Sequence, residues 1–188
     1  MKKNIYFMLT ALLVAMMSFG LSSCSKDDDN NGGSGDGSST VMADGKSYNL
    51  NRAYYDIWDN GNGLCLEFSN VDYYNKGRYD GYFQYLRLDI ERYHRTELES
   101  GTYNADVMYF ADSAGFTENY KSYNILKQYK LLDGIVPVTI VKNDDTYSIS
   151  IPETTVNILD PSNERKIIGK TTFSFNYTGK LTQSPDDE

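Results

Sequence analysis

Histidine occurs once in the 188 residues, tryptophan once, cysteine twice and proline four times. One histidine leaves little room for metal or nucleophilic-triad chemistry, and two cysteines build neither a disulfide framework nor a four-cysteine zinc site. The histidine, His94, stands between Arg92-Tyr93 and Arg95, whose charges disfavour its protonated form, and no Gly-x-Ser-x-Gly elbow accompanies it. Basic side chains are also in deficit, 18 against 26 acidic ones for a net charge of -8. Binding to nucleic acid needs clustered Lys and Arg to displace counterions, so that class of partner is excluded. The longest apolar stretch, Ile5 to Gly20, is 16 residues with Tyr6, Thr10 and Ser18 as its polar members. A membrane-spanning helix needs about 20 such residues, whereas the apolar core of a secretion signal is shorter.

That stretch follows Met1-Lys2-Lys3 and runs into Leu21-Ser22-Ser23-Cys24. A basic start, an apolar core and small residues before a cysteine resemble a bacterial lipobox, which implies removal of residues 1–23 as signal peptide and lipidation of Cys24. The next residues, Ser25-Lys26-Asp27-Asp28-Asp29, are similar to the export signal of Bacteroidetes surface lipoproteins. That resemblance implies a protein on the outer face of the outer membrane, with Lys26, Asp27, Asp28 and Asp29 as its address. The alternative is a solvated acidic tether on a protein facing the periplasm. Calcium binding by the three aspartates is a poor reading, because consecutive carboxylates on a flexible chain lack the alternate spacing and fixed turn of a calcium loop.

Lipid then supplies the anchoring energy, at about 0.8 kcal/mol per buried methylene, and the membrane is a partner through the anchor alone. Asn30 to Thr40 holds no apolar residue, so residues 24–40 read as a flexible acidic, Gly/Ser-rich tether. Its root-mean-square reach is about 23 Å. Loss of Lys2 and Lys3 takes the mature charge to -10, of which the tether and the acidic tail at 184–188 each carry -3. A domain over residues 41–183 keeps only -4, so the acidity belongs mainly to the ends.

Within the domain, alternation with a period of two dominates, which predicts strands. Ala53, Tyr55 and Ile57 alternate with Tyr54, Asp56 and Trp58, and a turn-rich Asp59-Asn60-Gly61-Asn62-Gly63 follows. Leu64, Leu66 and Phe68 share one face, with Cys65 and Glu67 on the other. Leu86, Leu88 and Ile90 oppose Arg87, Asp89 and Glu91 in a strand between Tyr82 and Tyr93, the mark of a sheet with one wet face. Residues 135–141 and 146–151 flank Asn143-Asp144-Asp145 as a hairpin, and Phe173, Phe175 and Tyr177 line one face of a strand between Lys166 and Gly179. Residues 116–132, with Tyr120, Tyr123, Leu126 and Tyr129 three apart, suit a short helix, a loop or a weak strand. About eight to ten strands separated by turn signals predict an all-β, antiparallel β-sandwich, with a closed lipocalin-like barrel as alternative. Ser100-Gly101-Thr102-Tyr103, Thr146-Tyr147-Ser148-Ile149 and Asn176-Tyr177-Thr178-Gly179-Lys180-Leu181 are similar to small Bacteroidetes lipoproteins with β domains. That resemblance implies a fold class and a habitat, and no activity.

Candidate chemistry is sparse. Cys65 is either a buried small residue or a free surface thiol, with no base placed to activate it. Asp89 and Glu91 lie two apart on one strand face and could approach a glycosidase-like separation, but Arg87 and Arg92 suggest a salt-bridged surface instead. The tyrosines are the richest feature, 17 in all, with doublets at Tyr54-Tyr55 and Tyr73-Tyr74 and a group of Tyr79, Tyr82 and Tyr85. A tyrosine ring stacks on sugars and on protein surfaces at low entropic cost, and it is equally a favoured strand residue. Tyr54, Trp58, Tyr73, Tyr74, Tyr79 and Tyr82 are therefore the candidate ligand-binding residues. The expectation is a noncatalytic, lipid-anchored domain that binds glycan or protein, without cofactor or metal. A carboxylate-dependent glycosidase and a structural subunit of an envelope assembly are the alternatives.

Overall fold

The structure, a computed structural model, describes residues 37–74, 79–117, 122–130 and 135–185. The expected signal peptide, Cys24 and the Lys26–Asp29 address lie outside the described residues. Among the described residues, twelve strands run in the order β1 (Ser38–Ala43), β2 (Lys46–Tyr48), β3 (Arg52–Trp58), β4 (Gly63–Ser69), β5 (Phe83–Ile90), β6 (Gly101–Ala105), β7 (Val107–Thr117), β8 (Ser122–Lys130), β9 (Val136–Asn143), β10 (Thr146–Asp160), β11 (Asn163–Gly179) and β12 (Thr182–Gln183). They join in one sheet with the path β12-β3-β4-β5-β7-β8-β10-β11-β1-β2, while β9 pairs with β10 and carries β6 on its other edge. Every pairing is antiparallel except β12 with β3.

The sheet folds over itself into a sandwich. Phe68 of β4 lies 4.6 Å from Phe175 and 5.2 Å from Tyr177 of β11, although those strands share no ladder. Phe110 of β7 likewise meets Phe173 of β11 at 6.1 Å and Tyr48 of β2 at 5.0 Å. These rings face one another across the core, as side chains on the inner faces of packed layers do. The two ends of the path, β12 and β2, do not pair, so the sheet is open and the closed-barrel alternative falls.

Local chemistry explains how one sheet serves two layers. β10 pairs with β9 through residues 146–150 and with β8 through Asn157, Ile158 and Leu159. Between these partners the β10–β11 register shifts: Ile151 faces Phe175 and Thr154 faces Phe173, so Pro152 and Glu153 oppose Ser174 alone. Proline has no N–H for a ladder, and a bulge at that point bends the strand and increases its twist, handing it from one neighbour to the other. At the start of the chain Asp44 and Gly45 both take positive φ, 54° and 69°, closing the β1–β2 hairpin with the twist that primed turns supply. Asp144, φ 54°, begins the expected β9–β10 turn.

One open reading is decided and two expectations change. Of the helix, loop and weak strand that residues 116–132 suited, the strand is found at 122–130, where Tyr129 enters the core while Gln128 on the opposite face bonds the Asp160 carbonyl at 2.9 Å. The first strand starts at Ser38, inside the stretch read as tether, since Ser38, Ser39 and Thr40 continue the ladder to β11 and the buried Ser39 hydroxyl accepts the Leu50 N–H at 2.6 Å. Most consequential for function, β4 has no wet face: Cys65, Glu67 and Ser69 are buried too, at 6%, 7% and 0% exposure.

Candidate functional site

The outer face of β3, β4 and β5 is a grid set by register. Alternation sends Tyr54, Asp56 and Trp58 outward from β3, and the ladders align Tyr54 with Glu67 and Arg87, Asp56 with Cys65 and Asp89, and Trp58 with Gly63. Tyr85 stands beside Ser69, one row further along. The chain leaving β4 then folds back over one end of this grid, turned by the Ser69 hydroxyl, which donates to the Val71 carbonyl at 2.7 Å.

That fold-back makes a second small core. Tyr54, Val71, Tyr73 and Phe83 are buried in it, with Tyr74, Tyr79 and Tyr85 packed around them. Tyr73 is its centre, 5.6 Å from Tyr54, 4.5 Å from Tyr74, 5.9 Å from Phe83 and 5.6 Å from Tyr85 between ring centroids, mostly in edge-to-face or tilted contacts. Glu67 satisfies the hydroxyls. Tyr73 and Tyr74 donate to Oε2 at 2.6 and 2.7 Å, and Tyr85 donates to Oε1, while Tyr54 donates to Asp72 at 2.9 Å. A buried carboxylate is tolerable only with such donors, and three phenols supply them without another buried charge. Burial first, and then the adjacent Glu67 carboxylate, push the phenols of Tyr74 and Tyr85 well above the usual range; Tyr73 is raised by burial, then by Tyr85 and Glu67.

Beyond the tyrosines the grid opens into a cleft of about 540 Å³. Asp56, Trp58, Glu67, Tyr74, Arg87 and Asp89 line it, together with Glu91, Ser184 and Pro185. The indole of Trp58 lies over Gly63, where a Cβ would fall inside the ring. Absence of a side chain there lets the indole lie close against the sheet in the wall of the cleft. Arg87 reaches across the grid, bonding both oxygens of Asp89 through Nε at 3.0 and 3.1 Å and approaching Glu67 Oε1 at 3.7 Å. Cys65 sits beneath, and burial, followed by the Glu67 charge, raises its thiol far out of the reactive range.

The structure thus sorts the candidate residues. Tyr54 and Tyr73, 7% and 2% exposed, belong to the small core, and Tyr79 packs against it. Trp58 and Tyr74 both line the cleft. Tyr82 stands apart at 70% exposure. Asp89 and Glu91 both border the cleft, but Asp89 is engaged with Arg87, and the backbone N–H of Glu91 turns to Asp106. His94 is exposed, in a left-handed conformation with φ 56°. Among the described residues no group of three His, Cys, Asp or Glu side chains is arranged to hold a metal ion. Glu67, Asp56 and Arg87 are the cleft residues that sequence reasoning overlooked, although alternation had already placed them on the same strand faces as the chosen ones.

No family model, curated protein or solved structure matches the chain. Functional inference therefore rests on the cleft itself.

Proposed function

We propose that the protein is a lipid-anchored lipoprotein of the outer membrane, held on the exterior face, whose sandwich binds glycan in the cleft over β3, β4 and β5 without transforming it. The observation that carries this reading is the Trp58 ring lying across Gly63 beside Arg87 and several carboxylates. An aromatic face stacks on the C–H face of a sugar ring, while carboxylates accept from its hydroxyls and a guanidinium donates to them. Asp89 held by both oxygens on Arg87 is a fixed acceptor, which suits recognition better than proton transfer. The Cys24 anchor and the Lys26–Asp29 address, read from sequence, supply the location.

Quenching of the single tryptophan in detergent-solubilised full chain, titrated with neutral and amino-bearing oligosaccharides, tests the cleft, with calorimetry as the readout where the tryptophan is removed. The quench is expected to weaken in Gly63→Ala, whose methyl lifts the indole, and the binding event at the cleft to disappear from calorimetry in Trp58→Ala. An unchanged quench in Gly63→Ala together with unchanged heats in Trp58→Ala removes the cleft from consideration. Turnover of a polysaccharide that disappears in Asp89→Asn or Glu91→Gln replaces binding by hydrolysis. For location, Cys24→Ala should release the protein from membranes, and neutral residues at 26–29 should abolish its protease sensitivity on intact cells.

A further inference from the structure

A second cavity opens on the other side of β3. The residues facing inward from this strand, Tyr55 and Ile57, do not meet the opposite layer completely, and the gap between them and the β9–β10 hairpin forms a mouth of about 440 Å³. That falls within the roughly 300–1,000 Å³ of small-molecule sites. Tyr55 and Tyr147 contribute rings that pack on the core along one side and are partly open on the other. Leu98 is buried at the floor. Gln183 of β12 and Asn60, both exposed and both carrying side-chain amides, complete the lining.

The rim is held rigidly. Asp59, Asn60 and Gly61 take φ of 53°, 55° and 94° in succession, a conformation that costs about 1–3 kcal/mol for each non-glycine residue. Two backbone bonds brace it against the next loop, from the Arg95 N–H to the Gly61 carbonyl at 3.1 Å and from the Tyr93 N–H to the Asn62 carbonyl at 3.0 Å. Gly61 is required, since a Cβ there would lie 2.5 Å from the Arg95 carbonyl oxygen. The loop thus places the Asn60 amide at the mouth before any ligand arrives, which lowers the ordering cost of binding.

We propose that this mouth is a second saccharide site, one that takes an uncharged sugar and works independently of the outer cleft. Charge decides the class. Lys142, with Nζ 6.0 Å from the Tyr147 ring centre, and Glu97 are the ionic groups of the mouth and cancel, whereas the outer cleft carries Asp56, Glu67, Asp89 and Glu91 against Arg87 alone. An amide both donates and accepts, as a sugar hydroxyl does, so Asn60 and Gln183 match hydroxyls without demanding a charge. Strand alternation makes β3 and β12 the partition between the sites: Tyr55 and Gln183 line the mouth, and Asp56, Trp58 and Ser184 line the cleft.

The test uses detergent-solubilised full chain and calorimetry with oligosaccharides of glucose, mannose and xylose, and with a uronate oligomer as charged control. In Trp58→Ala, which removes the cleft, one binding event per chain should remain for a neutral oligosaccharide. Adding Tyr147→Ala or Gln183→Ala should weaken it by about tenfold or more, while Tyr147→Phe keeps the ring and retains most of the affinity. In the chain with Trp58 intact, quenching of its fluorescence should not change with Tyr147→Ala. If Tyr147→Ala does not fold, Gln183→Ala at the exposed edge carries the result. Heat that persists while Trp58 fluorescence stays unmoved refutes the cleft and keeps the mouth. Absence of binding in Trp58→Ala, equal binding of the uronate, or indifference to both mouth substitutions overturns the proposal.

Discussion

Replacing Glu67 with alanine removes the acceptor shared by Tyr73, Tyr74 and Tyr85. Tyr73 is 2% exposed and the partly buried Tyr85 packs on the same small core, so both hydroxyls are hindered from turning to water, whereas that of Tyr74, at the cleft, can do so. An orphaned buried hydroxyl costs about 1–3 kcal/mol, so two of them together cost roughly 2–6. Relief from keeping a carboxylate out of water offsets part of this. The Arg87 contact contributes little, at 3.7 Å with the arginine side chain 45% exposed. A net loss of about 3 kcal/mol is expected, read as a lower urea midpoint at unchanged slope by far-ultraviolet circular dichroism. The origin of that loss is itself testable. If orphaned phenols are the cause, Tyr73→Phe and Tyr85→Phe in the Glu67→Ala background should recover at least about half of it, because removing both partners of a bond costs far less than removing one. A Glu67→Ala loss below about 1 kcal/mol, or no recovery in the phenylalanine background, would refute the reasoning.

Two more predictions follow from the same burial. Tyr177 is pushed up to about 12 by burial, and Tyr54, Tyr73, Tyr74 and Tyr85 lie higher still, against an ordinary value of 10.0. Above that value the unfolded chain gives up phenolic protons that the folded chain keeps, so stability should hold below pH 10 and fall steadily as pH rises through 12; a urea midpoint that stays level between neutral pH and about pH 11 would count against it. The thiol of Cys65, buried and raised first by desolvation, should react with a maleimide only after denaturant is added, and labelling of the native chain at the rate of a free thiol would mean that the base of the cleft opens to solvent.

Much of the fold was legible in the sequence because strand alternation is local. The faces formed by Leu64, Leu66 and Phe68, by Leu86, Leu88 and Ile90, and by Phe173, Phe175 and Tyr177 all enter the core as alternation predicts. Asp44-Gly45 is an equally local turn signal, and attention to it would have found the β1–β2 hairpin and the early start of β1. The bulge at Pro152 is different: the proline is visible, but which neighbours the bent strand will join depends on strands distant in the chain.

Alternation tells which side chains share a face and is silent on whether that face is covered. Glu67 reads as solvent-facing until the segment after β4 folds back and lays Tyr73 and Tyr74 over it. The same fold-back turned Tyr54 and Tyr73 from candidate ligand residues into core, and left Trp58 and Tyr74 at the cleft. Composition and spacing by themselves determined a β-rich domain and its strand faces, and they supply the reading of an anchored amino terminus. Only the tertiary structure decided which tyrosines are spent on packing, because burial is set by what a distant segment brings against a strand, and no local pattern encodes that.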